Sequence, residues 1–62
     1  MIKLITRNLK TQDVIKEATV ADNWWDVYLD NARFDGRRVI YHSANSYSVI
    51  YTEKNKICTF IR

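Results

Sequence analysis

The chain has no proline, one glycine (Gly36), one cysteine (Cys58) and one histidine (His42) among its 62 residues. Each scarcity closes a route. A lone cysteine makes no intramolecular disulfide, so covalent staples do not hold this fold. His42 and Cys58 are the only soft metal ligands, and a structural zinc needs a full tetrahedral set. Neither a metal nor another cofactor is expected. With no Gly-rich loop, one histidine and one cysteine, few catalytic arrangements remain. Cys58 with His42 is a conceivable nucleophile–base pair on neighbouring strands. Cysteine is among the most buried residue types, so a packed Cys58 is the expected state and no enzyme is expected.

Long apolar runs are also missing. The opening MIKLITRNLK is too short in apolar residues for a signal-peptide core, and nothing approaches a membrane span. No repeat, low-complexity tract or linker interrupts the chain. The reading is a cytoplasmic protein with no membrane partner and no small-molecule substrate. The Met start suggests a complete small open reading frame.

What is present is a globular composition, 47% hydrophobic and 13% aromatic. A domain of about 60 residues buries only about 60% of the surface its unfolded chain exposes. Residues 1–62 therefore form one domain whose stability rests on core packing, with or without self-association. The net charge of +3 is unevenly spread. Lys3, Arg7 and Lys10 make the start basic, and Arg37, Arg38, Lys54, Lys56 and Arg62 make the end basic. Between them lie Asp13, Glu17, Asp22, Asp26, Asp30 and Asp35. Such a pattern either neutralises itself between packed layers or leaves a basic surface for an anionic partner.

Periodicity gives an α+β domain. IKLITR (2–7) alternates as a strand, and TQDVIKEA reads as a helix start with Thr11 as N-cap and Asp13 and Glu17 in the first turns. RRVIYH, YSVIYT and KICTFIR (56–62) form an antiparallel meander of three strands. A three-residue loop over Ala44–Ser46 sets Tyr41 opposite Val49 and Arg37 opposite Glu53, and a turn at Lys54–Asn55 sets Tyr51 opposite Cys58. One sheet face then shows Val39, Tyr41, Tyr47, Val49, Tyr51, Cys58 and Phe60. The other shows Ile40, Ile50, Ile57 and Ile61 among Ser48, Thr52 and Thr59. One helical layer covers one face only, so the second is closed by barrel formation, by another chain, or left for binding.

Residues 23–31, NWWDVYLDN, admit two readings. As helix, they continue a stripe of Val14, Ala18, Ala21, Trp25, Tyr28, Leu29 and Ala32, capped by Gly36, with a break near TVADN (19–23) to relieve its excess length. As strand, Trp25, Val27 and Leu29 point inward and DG makes a two-residue hairpin, giving four strands after the helix. Both readings send Trp25 to the core and Trp24 away from it.

Two binding functions follow. In the first, the chain is a small protein-binding module that docks through Trp24, steered by Asp26 and Asp30, with Tyr47 and Tyr51 in support. Its size and type suit a regulatory or inhibitory accessory protein of the kind phages and mobile elements encode, and a homodimer would use the same surface. In the second, Arg37, Arg38, Tyr41, Lys54, Lys56 and Arg62 form a basic, Tyr-rich sheet face that binds nucleic acid. A helix carrying Asp22, Asp26 and Asp30 would repel phosphates, so the sheet is the better nucleic-acid surface.

Overall fold

In a computed structural model that describes residues Met1–Arg62, Asn8 decides how the chain leaves its first strand. Its side-chain oxygen accepts the amides of Lys10 at 2.9 Å and Thr11 at 3.0 Å, and its own amide donates to the Asp13 carbonyl at 2.9 Å. Gln12 takes a left-handed backbone at φ 67°. These bonds reverse the chain on the spot. Strand β1 (Ile2–Asn8) is thus followed directly by an antiparallel β2 (Val14–Val20).

The helix expected from residue 11 is therefore absent, and β2 stands in its place. Asp13 does donate its amide to the Thr11 hydroxyl at 3.3 Å, the bond expected of an N-cap, but here it stabilises a turn. Ser, Thr, Asn and Asp make such local bonds in turns and helix caps alike. Pairing with β1 breaks the tie. The expected helical stripe offered only Val14 and two alanines over that stretch, whereas Val14, Ile15, Thr19 and Val20 are β-branched.

The break falls where expected. A single 3-10 turn over Asp22–Trp24 leads into helix α1 (Trp25–Phe34). Trp25, Leu29 and Ala32 recur on one stripe and are all buried. Asp26 in the first turn and Arg33 in the last match the helix dipole. At its end, Gly36 adopts φ 69° while its amide bonds Arg33 and that of Arg37 bonds Ala32. This is a Schellman closure, and only its left-handed residue calls for glycine. The helical reading of 23–31 holds, and the DG hairpin does not form.

Strands β3 (Val39–Ser43), β4 (Ser46–Tyr51) and β5 (Lys56–Ile61) complete an antiparallel sheet ordered β2-β1-β5-β4-β3. The face assignments hold but the registers slip by two residues. Tyr41 faces Tyr47 and Val39 faces Val49, because the loop is shorter and a bulge takes up His42. Tyr51 faces Lys56 and Val49 faces Cys58, because Thr52–Lys54 form a 3-10 turn closed by left-handed Asn55. A slip of two keeps every side chain on its own face.

Helix α1 lies on the tyrosine-rich face. Its Trp25 ring meets Tyr47 edge-on at 4.6 Å, and Tyr47 stacks on Phe60 at 4.8 Å. Ile2, Leu29, Ala32, Val49 and Cys58 fill the rest of the cluster. The chain exposes 4235 Å², close to the about 4,200 Å² that scaling gives for a monomer of this mass. Trp25, Tyr47 and Phe60 are absorbed in this core, whereas Trp24, Phe34 and Tyr41 stay exposed.

Candidate functional site

The three turns at one end of the sheet bring separate stretches of chain together. The amide of Leu9, in the β1–β2 turn, donates to the carbonyl of Asn55, in the β4–β5 turn, at 3.0 Å. Arg37, after α1, bonds Glu53 of the 3-10 turn and lies within 3.8 Å of Asp35. Glu53 is held below the usual carboxylate range by its own backbone amide and then by Arg37. The Arg37 guanidinium also covers the Tyr51 ring at 4.4 Å, with the Lys56 ammonium 5.4 Å from the same ring. Burial raises the Tyr51 phenol above its ordinary value.

Around this knot are cations that form no ion pair. Arg7 and Arg38 lie on one row across the helix-free face, Val14–Arg7–Ile57–Ile50–Arg38. Lys56 and, one row lower, Lys16 belong to the helix side. Lys10 and Lys54 sit in the turns. None of these six has a carboxylate within the 4.0 Å of an ion pair. Beside them Phe34, the last residue of α1, is 91% exposed, more than any other large apolar side chain.

The expected nucleic-acid residues divide accordingly. Arg37, Arg38, Lys54 and Lys56 meet at this end. Arg62 lies elsewhere, its guanidinium 4.3 Å over the Trp25 ring. Tyr41, on β3, accepts a hydrogen bond from Arg33 at 2.6 Å. Most of the Tyr-rich sheet face is not available to stack bases, because α1 covers Tyr47 and the core around it; Tyr41, at its β3 edge, is 57% exposed. Arg7, Lys10 and Lys16 were missed as members of the cluster, since only the β1–β2 hairpin brings them there. Phe34 was missed as well, although an aromatic between Arg33, Arg37 and Arg38, off the apolar stripe, was a legible signal.

The expected protein-docking residues also separate. Trp24 is 45% exposed and rests on Tyr28 at 5.8 Å, with Val27 nearby at 38%. Asp26 and Asp30 lie exposed on the outer surface of α1. Tyr47 is 1% exposed and donates its phenol to the Trp25 carbonyl at 2.9 Å, so it belongs to the core and not to a docking surface. Tyr51 is half-buried between its two cations and is likewise not a free contact.

The helix-free face carries a chain of side-chain hydrogen bonds. His42 Nε2 bonds the Ser48 hydroxyl at 2.7 Å, and Ser48 bonds the Thr59 hydroxyl at 2.8 Å. Ser48 is 1% exposed, which leaves its oxygen no room to meet a substrate. Cys58 faces the helix, bonds Thr6 at 3.5 Å and is separated from His42 by the sheet. The pairing of Cys58 with His42 as nucleophile and base is therefore not built. Among helices, none is long and apolar enough to cross a membrane. Neither the models of protein families, nor the curated proteins, nor the solved structures include a match to this chain.

Proposed function

We propose that the chain is a non-catalytic binding module whose basic end engages the phosphate backbone of nucleic acid. The observation that carries this is the convergence of six unpaired cations from three separate stretches of chain. Assembling like charges raises their mutual repulsion, and a polyanion relieves it while releasing its own counterions. Asp13, Asp35 and Glu53 stand in the same turns and offset part of this charge, Glu53 feeling Lys54 as well as Arg37, but none forms an ion pair with the six.

The test is the salt dependence of oligonucleotide binding, read by fluorescence anisotropy. If about four to six phosphates are contacted, affinity falls by roughly two to three decades between about 50 and 200 mM salt. The double variant Lys10→Gln/Lys54→Gln should lower the slope of log K against log salt by roughly 1 to 2. Lys3→Gln, toward the opposite end of β1, should leave it unchanged. Undetectable binding at low salt defeats the reading.

A second reading keeps protein docking through Trp24, with Asp26 and Asp30 as steering charges. It is supported by the half-exposed Trp24 and Val27 beside that acidic surface. A partner from host lysate that survives nuclease treatment, and is lost with Trp24→Ala, would favour it over the first.

A further inference from the structure

We infer that the basic end is a single-strand site and that Phe34 is its base-stacking residue. This rests on the nucleic-acid reading above and specifies the form of nucleic acid taken. Three observations select it.

Phe34 is the largest departure from ordinary burial in the molecule, a phenyl ring 91% in water. Its backbone is fixed, because the Schellman closure through Gly36 and Arg37 sets the helix end on which it stands, so only the side chain is left to order on contact. Of the other rings near this helix end, Tyr51 is taken by Arg37 and Lys56, and Tyr41 is tied at its hydroxyl to Arg33. Phe34 is the most exposed ring of the three and the one with no such partner, and the flat face of a base stacks on an aromatic side chain irrespective of sequence.

The placement of the cations argues against a duplex. Arg7 and Arg38 belong to one face of the sheet, and Lys16 and Lys56 to the other, with Lys10 and Lys54 at the rim between. Duplex DNA bends only over about 150 base pairs, so it meets one side of that rim. A flexible single strand can follow it round. The middle of the helix is no substitute as a groove reader, since Asp26 and Asp30 on its outer surface would face phosphates; Phe34 stands on that surface four residues past Asp30, where the helix ends beside the turns that carry the cations.

Phe34→Ala is a clean probe. The side chain is exposed, and alanine is the better helix former, so the fold should be kept, with unchanged thermal unfolding. Anisotropy with a labelled oligo-thymidine of about ten nucleotides and with a duplex of equal length separates the possibilities. The native chain should favour the single strand. Phe34→Ala should weaken single-strand binding roughly five- to hundredfold, without changing its salt slope or the duplex affinity. Phe34→Trp should restore it, with the added indole emission quenched on binding. Equal single-strand affinity for the native chain and Phe34→Ala, with salt-dependent binding intact, overturns the stacking role and leaves the nucleic-acid reading standing. Absence of binding to either oligonucleotide defeats both. Capture by vesicles of anionic lipid, with the oligonucleotides unbound, also overturns the inference and assigns Phe34 to a lipid surface.

Discussion

The two faces of the sheet are both rich in apolar side chains, yet they solve the problem of water differently. On the helix side, large rings interlock: Trp25, Tyr28, Tyr47 and Phe60 lie within 4.9 Å of one another in successive pairs. On the other side no layer covers the sheet. Ile5 and Ser48 are nonetheless only 8% and 1% exposed. They lie on one row with Thr59 and Ile40, where branched side chains shield each other and hydroxyls pair sideways. One face is buried by a second layer; on the other, Ile5 and Ser48 are shielded by their neighbours while Ile40 and Ile61 stay 36% and 38% exposed. The hydroxyls of the open face are satisfied from within the row itself.

The sharpest way to break this contrast is on the helix side. Trp25→Ala empties the centre of the ring cluster and should cost about 3–5 kcal/mol, measured by urea unfolding. Trp24→Ala should cost far less, since that ring is 45% exposed. Equal losses from the two would show that the 3-10 turn, not the core, is the weak point.

Tyr47 offers a second, smaller break. Burial pushes its phenol from 10 up to about 12. The folded state therefore keeps a proton that the unfolded chain releases. The stability this contributes is complete below pH 10 and is lost as pH rises through about 12. Tyr47→Phe should lose about 1 kcal/mol at neutral pH, from the bond to the Trp25 carbonyl, and show a shallower alkaline loss. An unchanged alkaline profile would remove Tyr47 as its cause.

The open face should respond least. Ser48→Ala removes the link between His42 and Thr59 at a cost of about 1 kcal/mol, seen as a modest shift in the urea midpoint. A loss as large as that of Trp25→Ala would mean that the hydroxyl chain, not the ring cluster, organises the sheet.

Much of this contrast was legible in the sequence. The faces of β3, β4 and β5 follow from a period of two, which survives the two-residue slip that a bulge at His42 and a 3-10 turn before Asn55 impose. The helix at Trp25–Phe34 follows from its stripe and from Gly36. Strand β2 was not legible, because Thr11 and Asp13 serve a cap or a turn equally well and only pairing with β1 decides between them. The basic end was half legible for the same reason. Arg37, Arg38, Lys54 and Lys56 are close in chain and charge, whereas Arg7, Lys10 and Lys16 join them only across the hairpin. The supporting tyrosines failed as surface residues once α1 took their face.

Strand β1 lies between β2 and β5, with Lys3 opposite Ile61. During synthesis, the first half of the chain has nothing stable to fold into. A lone two-stranded hairpin is marginal in water, and a helix as short as α1 (10 residues) does not persist alone. Folding must wait for β5 to emerge and then proceed in one step, at the pace of non-local sheets rather than of helical bundles. For that interval the nascent chain is open to proteases and chaperones, and loss of β5 should abolish the fold as a whole rather than trim it.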